Sequence, residues 1–215
     1  MSDMNRKKQK LIEIFLITFF FIIFVILFRL QSFIIAMLLV TSLVIILYFK
    51  NEIIKIILPK KTKSILNFIF FDIFLIISII IIFGNDVFTN ELDFKKYFFI
   101  SMLLLFYLFF SVIPQELIFR FFFFHRYSNY FNKNELLLIN TLAFCLCHVI
   151  YFDIYIFLFA FFGNLLFTIN YMKNKSLLLV ISEHFLIAQT LIILGFFDNF
   201  NFSLIKKLYN LVLIN

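Results

Sequence analysis

Apolar runs long enough to cross a bilayer recur along the whole chain, and they leave it little choice of architecture. Residues 11–30, 33–49, 64–83, 97–127, 135–150, 154–172 and 176–197 are apolar apart from isolated polar or ionisable groups. A hydrocarbon core takes about 20 helical residues per crossing. In lipid every backbone N–H and C=O has to find its partner inside the spanning structure, so such a run becomes a helix and not an open strand. The prediction is an all-α, polytopic membrane helical bundle of seven or eight transmembrane helices, a single integral membrane domain over residues 1–215. Composition agrees: 64% of residues are hydrophobic and 14% charged, against about 25% charged in soluble domains. The net charge of +7 does not point to nucleic acid, because no folded soluble part remains to present a basic groove. The expected partner on composition is membrane lipid.

Basic residues read as orientation signals. Arg6, Lys7, Lys8 and Lys10 precede the first run in the manner of a signal peptide. That run is too long, and no small-residue cleavage site follows, so it is a retained span. With the N-terminus cytoplasmic, the connectors holding Lys50, Lys55, Lys60, Lys61, Lys63, Lys133, Lys173 and Lys175 are cytoplasmic too; Lys95 and Lys96 are the exceptions. Residues 29–32 read as a tight turn and 84–96 as a polar loop. Segments 50–63 and 198–215 read as amphipathic stretches lying on the membrane surface. Cys145 and Cys147 are two apart in a helix, point in different directions and do not pair.

Within residues 97–124 an acid and a guanidinium interrupt the apolar run, in Pro114-Gln115-Glu116-Leu117-Ile118-Phe119-Arg120. A charge near the bilayer centre costs about 2.5–3.5 kcal/mol on insertion scales. Glu116 and Arg120 are four apart, share a helical face and neutralise each other. Pro114 lacks the N–H a helix interior needs, which predicts a new helix or a sharp kink there. Two more polar groups lie at membrane depth, His148 and His184, and all are expected to meet in one intramembrane site. Asp72 reads as a partner for Arg120 or an interface residue, Glu183 as facing a polar interface, and His125 as an edge residue.

Gln115-Glu116-x-x-x-Arg120, then Phe144-x-x-x-His148, then the Gly163-Asn164 region and Glu183-His184, taken in this order, resemble the CPBP family, the CAAX proteases and bacteriocin-processing enzymes. The similarity covers residues 97–194, the catalytic core of that family. It implies an intramembrane endopeptidase whose glutamate and first histidine activate water, with the later histidine stabilising the oxyanion. Carried onto this chain, Glu116, Arg120, His148 and His184 are the catalytic set, and Gln115 and Phe144 contact substrate. The substrate implied is a membrane-associated or prenylated peptide or a bacteriocin precursor, and the location a bacterial cell membrane. Family members are often described as metalloproteases. Glu116, His148 and His184 with water would suit a divalent metal such as zinc, although no His-Glu-x-x-His is present.

The chain departs from the family pattern at two places. Gln115 stands where the first glutamate is usual, and a neutral amide is no general base. Ala188 stands where Asn or Asp is usual, and Gln189 lies about 140° around the helix from His184. These departures support an alternative, a catalytically impaired member acting as a binding or bacteriocin-immunity membrane protein. A small transporter is a third reading, since intramembrane charges also mark ion pathways.

Overall fold

The computed structural model describes residues 3–28, 33–58, 62–83 and 94–194. The turn read at 29–32, the loop at 84–93, the tail at 198–215, and Lys60 and Lys61 lie outside them. The elements are α1 (Asp3–Leu27), α2 (Ile34–Ile57), α3 (Thr62–Phe83), α4 (Phe94–Tyr107), α5 (Ile113–Glu116), α6 (Phe123–Tyr127), α7 (Lys133–Cys147), α8 (Ile154–Asn174) and α9 (Leu177–Ile193). No strand occurs among the described residues. Five stretches are long and apolar enough to cross a membrane: Met4–Leu27, Ile34–Ile57, Ser101–Tyr127, Lys133–Tyr151 and Ile154–Asn174. Ile69–Ile82 and Leu177–Ile193 are shorter apolar helices. The chain is an all-α membrane bundle, as its apolar runs require.

The new helix, one of the two alternatives expected at Pro114, does not occur. α4, α5 and α6 form one rod, joined by wider π-helical turns at Leu108–Val112 and Leu117–Phe122. Each π turn bonds one residue further back than an α turn, as Ile113 N–H to Leu108 O and Phe123 N–H to Ile118 O show. Bonding is already re-registered on both sides of the proline, so its missing N–H does not end the rod. The segment after Lys50 is helical and packs against the bundle. α2 kinks at Phe49 (φ −122°, ψ 24°) and continues to Ile57. Beyond the kink Ile53 is buried with Leu117, Phe121 and Leu177, and Ile57 O accepts from Ser176 Oγ at 3.0 Å.

Capping fixes the other corners. Asn132 and Glu135 form a reciprocal capping box at the start of α7, both bonds being 2.9 Å. It satisfies two backbone donors at once. Asp153 caps α8 through Tyr155 and Ile156 N–H, after Phe152 turns the chain in the left-handed region (φ 53°). Lys175, also left-handed (φ 50°), closes α8, and Ser176 caps α9.

At one end of the bundle Lys7 pairs with Glu135 at 2.6 Å, and Glu13 holds both Lys10 (2.6 Å) and Arg126 (2.5 Å). Glu13 thus reaches a basic edge and ties α1 to α6. His125 is exposed there, its ring against Phe121 and Phe49. Outward faces are as apolar as the core: Leu47 is 80% and Phe70 80% exposed. The surface that water-soluble proteins make polar is here made of hydrocarbon.

Candidate active site

The polar groups face inward instead. Arg120 is wholly buried, 0% exposed, and so is Glu116. Arg120 Nε lies 3.0 Å from Glu116 Oε2. Its other nitrogens donate across the bundle, Nη1 to Asn140 Oδ1 at 2.9 Å and Nη2 to Asn164 Oδ1 at 2.6 Å. Asn140 is itself pinned: its Nδ2 donates to Phe119 O at 2.8 Å, and Thr168 Oγ1 donates to its Oδ1 at 2.9 Å. The rings of Phe144 and Phe167 lie 5.9 Å from the guanidinium carbon, within cation–π range. One guanidinium therefore fastens the rod α4–α6 to both α7 and α8. Charge-assisted bonds in a dry interior are the strong kind.

Glu116 uses its second oxygen on α9. His184 Nδ1 sits 2.7 Å from Glu116 Oε1. Because a carboxylate oxygen accepts, that nitrogen carries the proton. Phe167 stacks on the His184 ring at 4.8 Å. His148 closes the end of α7, and its Nδ1 meets Phe144 O at 2.8 Å. A carbonyl only accepts, so Nδ1 is protonated and Nε2 keeps its lone pair. The Phe144 ring is 4.5 Å from His148 and 6.1 Å from His184, so the imidazoles are no further apart than those two steps together.

His148 and Gln115 line a cavity of about 440 Å³ that extends between α1 and α2. Its other walls are almost entirely apolar, including Phe21, Met37, Leu38, Phe119 and Tyr151. Gln115 Nε2 donates to Ser111 Oγ at 2.8 Å, and its Oε1 is buried without a partner. An amide nitrogen has two protons, so one remains available.

The structure thus gathers Glu116, Arg120, His148, His184, Gln115 and Phe144, from α5, the following π turn, α7 and α9. Asp72 does not reach Arg120; it meets Glu183 across the α3–α9 contact. Ala188 is buried and offers no polar atom near His184. Among the described residues no three His, Cys, Asp or Glu side chains converge as a metal-holding group. Each imidazole has Nδ1 on an oxygen acceptor, which leaves Nε2 as the nitrogen a divalent metal would use. Asn164 lies in the Gly163-Asn164 stretch already singled out, whereas Asn140 and Thr168 were missed. Their signal was present: Asn140, Phe144 and His148 are four apart on α7, and Asn164 and Thr168 four apart on α8, which places each set along one face.

The structure therefore holds, inside a polytopic helical bundle, a buried Glu116–Arg120–His184 cluster, with His148 and Gln115 on the wall of an apolar cavity. Residues 97–189 match the family model described as type II CAAX prenyl endopeptidase Rce1-like. No curated protein and no solved structure matches the chain.

Proposed function

We propose that the chain is an intramembrane endopeptidase that hydrolyses a peptide bond in a membrane-associated peptide, whose lipid-like or prenyl portion occupies the cavity between α1 and α2. The observation that carries this is that His148, whose Nδ1 is held by Phe144 O, and Gln115 both line one largely apolar cavity. In this reading His148 Nε2 takes a proton from water, and the oxygen adds to the substrate carbonyl carbon. The oxyanion receives the second N–H of Gln115. The proton then passes to the leaving amine as the C–N bond breaks, giving a carboxylate and an amine. Glu116 touches no water in this scheme. It orients His184 as a buried carboxylate orients a triad histidine, and Arg120 orients Glu116. The basic end of the bundle is the cytoplasmic one, by the excess of Lys and Arg there.

The test on the donor is Gln115→Leu. Turnover of a prenylated peptide by purified protein is expected to fall about 10²-fold with little change in KM, the usual loss for one oxyanion donor. Unchanged kcat would remove Gln115 from the reaction.

A second reading is favoured by Ala188 and by the engagement of both Glu116 oxygens: a protein that keeps the fold and binds a peptide without cutting it. It expects no hydrolysis by the native chain, and activity created by Gln115→Glu with Ala188→Asn. Turnover by the native chain, lost in that double variant, decides for the first reading.

A further inference from the structure

The candidate site does not lie midway across the bundle. The ion pairs Lys7–Glu135 and Arg126–Glu13 mark the basic end. α7 starts there at Lys133, and His148 closes its other end, about 22 Å away at about 1.5 Å per residue. In a hydrocarbon core about 30 Å thick, His148 therefore sits in the half remote from the basic end, just before the turn at Phe152. Gln115 stands about 18 Å along the rod from Tyr127, on the same remote side.

The two ends of the cavity differ. Toward the basic end its walls are Ile14, Ile17, Phe123 and Tyr127. That end is tied shut, because Glu13 Oε1 accepts from Tyr127 Oη at 3.0 Å and from Arg126 Nε at 2.5 Å. Toward the remote end the walls carry His148 and Gln115. There α1, α2 and the turn after α7 meet through the apolar contacts of Val25, Ile34 and Ile150. Polar groups continue from Gln115 in that direction: Ser111, which accepts from its Nε2 at 2.8 Å, and Tyr107 follow at four-residue steps along the rod. Gln115 Oε1 is buried without a partner. Buried acceptors are normally satisfied, so this one calls for a donor brought by a bound peptide or by water.

We propose that the cavity takes a peptide carrying one long hydrocarbon chain and anchored in the leaflet remote from the basic end. That leaflet is the outer one, the basic end being cytoplasmic. The chain runs from the remote end down the apolar walls toward Ile14 and Tyr127, and the peptide stays beside His148 and Gln115. A molecule of the remote leaflet has this polarity, since its chain points from its own headgroup level toward the bilayer centre. A peptide anchored on the basic side would enter the other way round, with its backbone against the Glu13–Tyr127 tie and far from His148. The substrate class rests on the endopeptidase reading; the direction of the chain does not depend on turnover.

The experiment uses sealed vesicles of both orientations holding the full chain. A short charged peptide with a palmitoyl or a farnesyl chain, and a diazirine at the chain end, is added outside and irradiated. Cross-links near Ile14 or Tyr127 are expected in right-side-out vesicles and are expected to be lost in inverted ones. The chain that gives more of this product identifies the hydrocarbon. Phe152, 73% exposed at the remote turn, supplies a marker of side: Phe152→Cys is expected to take an impermeant maleimide from outside only in right-side-out vesicles. Cross-links at Ile34 or Met37 instead, products confined to inverted vesicles, or no cross-link with either chain overturn the proposal. Protein that cross-links as expected but cleaves no peptide in detergent upholds the direction and removes the endopeptidase reading. Protein that cleaves while its cross-links run the other way does the reverse.

Discussion

His148→Ala is expected to lower peptide hydrolysis by about 10³-fold, within the range usual for a lost general base. The thermal midpoint should move little. His148 is only partly buried at the end of α7, and its Nδ1 bond is a local one to Phe144 O. The same bond fixes the tautomer, so a replacement that keeps a ring but not a basic nitrogen, His148→Phe, should be as inactive as alanine. Single-turnover kinetics on a prenylated peptide separates the chemical step from binding. Hydrolysis by His148→Ala at the native rate would take this histidine out of the reaction. The assignment of the cavity as a substrate site would then rest on its shape alone.

The second large effect is structural. Arg120→Met is expected to destabilise the fold by about 3–5 kcal/mol, the usual cost of removing one partner from a buried charge pair. Methionine fills much of the volume, so the loss comes from what is left behind. Glu116 keeps a buried charge with no guanidinium, and the oxygens of Asn140 and Asn164 lose their donor. Arg120→Lys should not restore stability, because a point ammonium cannot serve Glu116 on one side and two amides on the other. Pairing Arg120→Met with Glu116→Gln should cost less than the two single changes together, since the stranded charge goes with its partner. Strict additivity in that cycle would show that Glu116 and Arg120 do not act as a pair. The expected failure of the single variant also explains why Arg120 belongs to any version of this protein, catalytic or not: it fastens three helical segments at one point.

Much of the site was legible before the fold was known, and for a specific reason. Charged and strongly polar groups are rare in a lipid-embedded chain, so Glu116, Arg120, His148 and His184 stand out against their surroundings. The i, i+4 spacing already paired Glu116 with Arg120. Asn140 and Thr168 were harder to see because an uncharged polar side chain in an apolar run does not stand out as a charge does. Only their partners distinguish them from the other Asn and Thr. Asp72 shows the limit most clearly. Its sequence position allowed Arg120 as a partner, and the structure gives it Glu183 instead.

The sequence by itself determined that this chain would be a bundle of membrane helices, because uncharged runs of such length have no other way to satisfy their backbone in lipid. It also determined which residues were too polar to face the acyl chains. Only the tertiary structure decided how the helices turn toward one another. In soluble proteins an apolar stripe marks the buried face, but here outer faces such as Leu47 and Phe70 are as apolar as the core. The π turns around Pro114, which set where Glu116 and Arg120 point, depend on packing against α2 and α9. Rotation about each helix axis was therefore set by a few buried polar contacts between distant segments, and those contacts exist only once the bundle has closed.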